Sequence, residues 1–410
     1  MQFFPYLCLM KKFLAFIITL ALAANLHAKH YTVVVSLDGF RWDYPQLYNT
    51  PFIDYMASQG VESGLIPSFP SKTFPNHYTL ATGLYPDHHG IVGNDFYDSA
   101  TKESFSLSSK ATKTNSRFYG GEPVWITAQK QGLHTAVFYW PGSDVKVKGS
   151  YPDKFFKYDE LPRLDYSQRI DGIIRELEKP ASSRPELIMA YFDQPDASGH
   201  LYGPHSKHTR KMVEIIDSLM QNLYNRIRQL PVAANVNLII LSDHGMAWVA
   251  KEHRIPVMPY LKKEWIRKIS GNVPANIYTT EGCADSVYTV LSHVDHIKVW
   301  KKADIPAYLH YGSSPRVGDV VATPDVGYYI IEDTIDAGGT HGYDPEMQDM
   351  HALFRAIGPD FNHVSVPHFH NVNVYALICR LLGITPAPND GSIKETEILL
   401  KESLKSGGNS

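Results

Sequence analysis

The stretch HYTVVVSLDGF, residues 30–40, packs β-branched residues into a short run that stops at an acid, Asp38. Near-continuous Val/Ile/Leu runs of this length mark strands buried on both faces, as in a parallel sheet. The pattern recurs twice. ELIMAYFDQPDASGH, residues 186–200, runs into Asp193 and Asp196, and NVNLIILSDHGM, residues 235–246, ends at Asp243. Helical patterns separate these runs: TPFIDYMASQG (50–60), SQRIDGIIRELEK (167–179) and HTRKMVEIIDSLMQNLYNRIRQL (208–230). Alternating strands and helices predict an α/β fold, doubly wound, with a mostly parallel sheet and helices on both of its faces. Ligands of such folds gather outside the carboxyl ends of the strands, where these acids fall.

Residues 250–336 read differently. PANIYTTEG, HIKVWKKAD and VGYYIIED predict short strands around the helix CADSVYTVLSHV, a small α+β insertion after which the chain rejoins the core at AGGTHGYD. The expected organisation is a catalytic core of residues 29–249 and 337–400, an insertion at 250–336 and a loose tail at 401–410. At the other end, Lys11 and Lys12 precede FLAFIITLALA and the small-residue stretch ANLHA. That is the layout of a secretory signal peptide over residues 1–28, with Met10 an alternative start. It predicts a periplasmic or secreted protein with no stable membrane span after cleavage. The mature chain then carries 37 basic and 42 acidic side chains and no basic block, which argues against duplex nucleic acid as a partner. Cys8 leaves with the signal; Cys283 and Cys379 remain, and their spacing does not decide whether they pair.

Neither cysteine sits in a zinc-type pair, so any metal must be held by oxygen and nitrogen. The strand ends supply both: Asp38; Asp196 and His200 in PDASGH; Asp243 and His244 in SDHGM; His341 in GGTHGYD. Each taken alone reads as a turn residue. Together, six carboxylate and imidazole ligands without thiolate suit zinc, with manganese second. Six are too many for one tetrahedral ion, whereas three apiece suit two ions roughly 3.5–4 Å apart.

FPSKTFPNHYTLATG, residues 69–83, places Thr73 before a helix expected from Pro75 or Asn76 onward. Threonine suits the cap of such a helix. A hydroxyl there also lies in positive potential, and a dication would activate it as a nucleophile. Spacing leaves both roles open.

These motifs resemble the ectonucleotide pyrophosphatase/phosphodiesterase family of the alkaline phosphatase superfamily. The likeness is carried by FPSKTFPNHYTLATGLYPDHHGIVGN, PDASGHLYGPHS, SDHGM and THGYDPEMQDMHALF, and extends to NVNVYALICRLLGITPAPNDGS. It implies an alkaline-phosphatase-like fold and a bacterial-type single catalytic domain. It also implies one zinc on Asp196, His200 and His341, and a second on Asp38, Asp243 and His244, with Thr73 as nucleophile beside the second. Asn94 in GIVGNDFYD would bond a phosphate oxygen. Phe74 and Tyr158 would sandwich a nucleobase, with Leu107 of SFSL as an apolar contact. The implied activity is hydrolysis of nucleotide phosphodiesters and pyrophosphates to nucleoside 5′-monophosphates through a phosphothreonine, by a monomer acting on small molecules.

The chain departs from the nucleotide-type pattern in one respect. Asp95, not lysine, follows Asn94, and the nearest lysines after the SFSL segment are Lys110 and Lys113, which puts contacts to distal phosphates in question. No sulfatase C-x-P-x-R signature is present. Two alternatives stand beside the nucleotide reading: a choline-phosphodiesterase acting on glycerophosphocholine or lysophospholipids, its aromatics boxing an ammonium, and a non-catalytic metal-binding secreted protein.

Overall fold

The computed structural model describes residues 29–334 and 336–405, so the expected signal peptide lies outside the described residues. The described residues from Tyr31 onward form one compact unit. Its centre is the strand Tyr31–Leu37, buried along its whole length. The strands Leu187–Phe192 and Val236–Leu241 lie parallel on either side of it, with Leu37 opposite Phe192 and Ser36 opposite Leu241. Among the described residues they belong to a nine-stranded sheet. Thr135–Phe138 and Lys154–Phe155 extend it in parallel beyond Leu187–Phe192. On the other side Ala352–Ile357 runs antiparallel to both Val236–Leu241 and Val61–Ile66. The sheet is α/β and mostly parallel, as the runs predict.

Alternation along the central strand sorts the helices into two layers. Val33, Val35 and Leu37 pack with helices Pro51–Gln59, Tyr166–Glu178 and Lys207–Ile227. Val34 faces the opposite cluster, built on Thr73–Thr82, Val124–Lys130 and Val374–Leu382. The longest helix buries Val213, Ile216, Met220, Leu223 and Ile227, three or four residues apart. Its buried Asp217 accepts hydrogen bonds from the N–H groups of Phe52 and Ile53 at the start of the neighbouring helix, whose Thr50 makes no side-chain cap. Asp165 and Gln168 close a capping box at the start of Tyr166–Glu178.

A separate four-stranded antiparallel sheet has the order Ile266–Gly271, Ala275–Thr279, Val320–Pro324, Ile297–Lys301. Helix Ala284–Leu291 packs on it through Val287 and Leu291. Only Tyr329–Ile330 of VGYYIIED is strand, and it pairs with Arg254–Ile255 outside this sheet. The sequence pattern also passes over two of the four strands. IRKISG is a half-exposed edge interrupted by charge, and VVATP is short and stops at proline. Cys283 and Cys379 are both free, and burial pushes the Cys379 thiol up to about 12.

Adjacent isoleucines test the layer assignment. Ile216 is fully buried and Ile215 is 38% exposed. Ile216→Ala is expected to cost about 2–5 kcal/mol in urea unfolding, and Ile215→Ala within about 0.5 kcal/mol. Equal costs would contradict the assignment.

Candidate active site

Because the three central strands end level, the residues just beyond them share one pocket floor. Asp38 follows the first strand directly, and its carbonyl accepts the N–H of Asp196 (2.9 Å). Gly39 makes this crossing with φ +66°, and a Cβ there would meet Asp196 at 2.9 Å. Ligand-type atoms of Asp38, Asp243 and His244 lie within 4.8 Å of one another, and so do those of Asp196, His200 and His341. The two groups are neighbours, since the rings of His244 and His341 stack with centroids 3.5 Å apart.

The imidazoles are oriented from behind. His200 Nδ1 donates to the Gly339 carbonyl (2.8 Å), His244 Nδ1 to that of Gly245 (2.8 Å) and His341 Nδ1 to that of Ser71 (2.7 Å). Carbonyls only accept, so in each neutral ring Nε2 keeps its lone pair. His200 Nε2 and His341 Nε2 face each other at 3.1 Å. One oxygen of each acid (Asp38 Oδ1, Asp196 Oδ1, Asp243 Oδ2) is buried without a hydrogen-bond donor. These oxygens stand 3.3, 3.4 and 3.0 Å from the Nε2 atoms of His244, His200 and His244 respectively. Lone pairs and orphaned carboxylate oxygens converging on two points, with the far ring nitrogens tied back, fit two divalent cations.

The electrostatics show the strain of leaving such acids to themselves. Burial, then the Asp243 and Asp196 charges, push the Asp38 carboxyl well above the usual carboxylate range. Burial works against the charge on Asp243 too, but His244 and His77 beside it hold that carboxyl well below the range. Burial, with His244 and Lys72 near, pushes His341 well below the ordinary imidazole value. Tyr191 donates to Asp38 Oδ2 (2.6 Å). His77 sits 2.9 Å from the Thr73 carbonyl and 3.2 Å from Asp243 Oδ2 through Nδ1, while its Nε2 meets Ser36 Oγ at 2.8 Å. Neither Tyr191 nor His77 is among the residues the sequence singles out. His77 alone carried a signal, lying one helical turn beyond Thr73.

Thr73 resolves differently from a cap. The helix begins at Thr73 itself, earlier than expected, and Lys72 holds the cap position without a side-chain bond. The helix is capped from outside: Asn94 Oδ1 accepts the N–H of Phe74 (3.0 Å). The Thr73 hydroxyl makes no bond to the helix backbone among the described residues, and its Oγ1 lies 3.1 Å from His244 Nε2. The bond to Phe74 also fixes which way the Asn94 amide donors point.

Thr73, Phe74, Leu107 and Tyr158 line one cavity of about 290 Å³. Lys113 lines it too, bound to Asp159 at 2.9 Å, so this lysine belongs to the aromatic end of the cleft. Tyr158 already carries cations: Arg163 lies 4.4 Å and Lys113 Nζ 5.7 Å from its ring centroid. Lys72 lines a different cavity, with Asn94, His200 and His341, and burial lowers its ammonium to about 8.

Among the described residues, no helix is long and apolar enough to cross a membrane. The profile of the family described as type I phosphodiesterase / nucleotide pyrophosphatase matches residues 32–344. A venom phosphodiesterase of Crotalus durissus collilineatus is 36% identical over 386 residues, which is 90% of this chain and 46% of the relative. Human ectonucleotide pyrophosphatase/phosphodiesterase family member 5 is 35% identical over 378 residues, 91% of this chain and 78% of the relative. The chain thus spans about half the length of the venom relative and most of the human one. A solved structure of the murine ectonucleotide pyrophosphatase / phosphodiesterase 5, an inactive threonine-to-alanine variant in complex with AMP, superposes with a TM-score of 0.85 at 35% identity. It covers 91% of this chain and 100% of that one.

Gly39 gives the site's architecture a direct test. Gly39→Ala combines a left-handed backbone with the contact to Asp196, and is expected to cost about 1–3 kcal/mol in chemical unfolding. Gly132 also has a positive φ, +83°, but nothing lies within 4 Å of its Cβ position. Gly132→Ala should therefore cost less; an equal loss would mean that the approach of Asp38 to Asp196 is not close-packed.

Proposed function

The chain belongs to the type I phosphodiesterase / nucleotide pyrophosphatase family, and we propose that it is a two-zinc hydrolase of nucleotide phosphodiester and pyrophosphate bonds that releases nucleoside 5′-monophosphates. One observation carries the reading. The Thr73 hydroxyl, at the start of a helix that Asn94 caps, stands beside His244 and lines the cavity of Phe74, Leu107 and Tyr158.

Asp196, His200 and His341 would hold one ion, and Asp38, Asp243 and His244 the other. Bound there, two dications supply charge neutralisation for the phosphate and a lowered pKa for a hydroxyl beside them. The chain's own residues do the rest. Phe74 and Tyr158 take the nucleobase between them, and Leu107 covers its edge. Asn94, its amide oxygen engaged by Phe74 N–H, presents its N–H donors to a non-bridging phosphate oxygen. Thr73 Oγ1, having lost its proton to solvent, bonds to phosphorus as the bond to the leaving oxygen breaks. Water then cleaves the phosphothreonine and frees the monophosphate. The murine relative supports the nucleotide and the nucleophile alike, since it was solved with AMP as an inactive threonine-to-alanine variant.

The choline alternative fares worse on one point. A quaternary ammonium seated on Tyr158 would meet the like charges of Arg163 and Lys113, which a neutral nucleobase does not. We further propose that the chain is exported by residues 1–28, works in the periplasm or outside the cell, and acts as a monomer.

The deciding experiment loads the protein with zinc and compares kcat/KM on the p-nitrophenyl ester of thymidine 5′-monophosphate with that on p-nitrophenyl phosphorylcholine. The nucleotide ester is expected to lead clearly. Calorimetric titration of the metal-free protein should give two zinc ions per chain, with affinity falling as pH drops through the imidazole range, because the ligands must be unprotonated. Thr73→Ala should lose about 10³-fold or more in kcat and still bind both ions. Turnover near that of the parent in Thr73→Ala would refute the mechanism, and a lead for the choline ester would move the substrate to lipid headgroups.

A further inference from the structure

Tyr158 sits on neither a strand nor a helix. It lies in the connection between the strand Lys154–Phe155 and the helix Tyr166–Glu178. That strand is two residues long and lies at the end of the sheet, paired with Thr135–Phe138 alone. Within the connection Leu161 is 79% exposed. The hydrogen bond from the Glu160 N–H to the Lys157 carbonyl and the Lys157–Glu160 ion pair are internal to it, so they do not fix where it lies.

Two polar contacts beside the ring do fix it. The Tyr158 N–H bonds to the Asp144 carboxylate, and the next residue, Asp159, accepts a hydrogen bond from Lys113 Nζ at 2.9 Å. Asp144, Lys113 and Asp159 all line the aromatic cavity with Tyr158. The lysine end of the ion pair is firmly held. Lys113 is 7% exposed, its N–H donates to the Ser109 carbonyl, and its own carbonyl accepts the buried Tyr119 hydroxyl. Asp159, by contrast, belongs to the exposed connection. Lys113 Nζ stands 5.7 Å from the Tyr158 ring centroid, so the ion pair and the ring share one edge of the cavity. A buried ammonium depends on its carboxylate far more than an exposed one does.

Resting on the hydrolase reading above, we propose that Asp159 is a positioning residue: its ion pair with Lys113 ties the Tyr158 connection across the cavity and sets the distance of Tyr158 from Phe74. The pair touches no reacting atom. It acts through the ring, by holding it ready for a flat base before the base arrives. Such an effect is the same in the bound ground state and in the transition state, so it enters KM and not kcat. A substrate without a base does not feel it.

Two esters with the same leaving group make the test on the zinc-loaded full chain: the p-nitrophenyl ester of thymidine 5′-monophosphate and methyl p-nitrophenyl phosphate. Asp159→Asn is expected to raise KM for the nucleotide ester about tenfold with kcat nearly kept, and so to lower its kcat/KM relative to the methyl ester by the same factor. AMP affinity, measured by calorimetry, should fall equally, which reads the effect without turnover. Lys113→Met should act in the same direction, and the double variant should cost no more than the larger single one, because both remove one interaction. An unchanged KM and AMP affinity in Asp159→Asn, an equal loss on both esters, or additive losses in the double variant would overturn the positioning role and leave the hydrolase reading standing. No turnover of either ester by the parent protein would overturn both.

Discussion

Three parallel strands that end at the same level govern the rest of this molecule. The pairing of Leu37 with Phe192 and of Ser36 with Leu241 brings Asp38, Asp196 and Asp243 to one place. Like charges gathered in a buried spot are unfavourable, and Asp38 shows it in a carboxyl pushed upward by burial and by Asp243. Among the described residues no lysine or arginine relieves this by an ion pair with Asp38, Asp196 or Asp243. The surrounding structure supplies three imidazoles instead, each tied by Nδ1 to a backbone carbonyl and each presenting Nε2 inward. Such an arrangement suits divalent cations, which is why the proposed metal centre traces back to the strand ends.

A second consequence follows from how the Thr73 helix is capped. A threonine at a helix start ordinarily spends its hydroxyl on the backbone. Here Asn94, twenty residues on, takes the orphaned N–H of Phe74. One amide oxygen therefore caps the helix that carries Thr73. Ser71 links the same loop to the other ligand group, since its carbonyl holds His341 and its hydroxyl accepts the N–H of Gly342. The nucleophile candidate and a ligand candidate are thereby kept in register by backbone contacts.

Much of this was legible in the sequence, because a strand buried on both faces writes itself as an uninterrupted apolar run, and the acids follow within four residues of those runs. The six ligand-type residues could be named from their positions at strand ends, and the motifs carried the family. What the sequence hid was of two kinds. Capping depends on a contact between residues distant in the chain, so the Thr73 stretch alone could not reveal that Asn94 caps its helix. The side on which a lysine falls is equally invisible. Lys113 is drawn to the aromatic end by Asp159, whereas Lys72, adjacent to the threonine, turns into the opposite cavity. The short edge strands of the insertion escaped because Ile266–Gly271 mixes charge with apolar residues and leaves one side in water.

The most direct measurement is a crystal structure of the protein grown with zinc and AMP, with anomalous differences recorded on both sides of the zinc edge. Two peaks roughly 3.5–4 Å apart are expected, one within each group of three ligands, with Thr73 Oγ1 turned to the ion at Asp243 and the adenine between Phe74 and Tyr158. A single peak, or peaks away from these six side chains, would contradict the account.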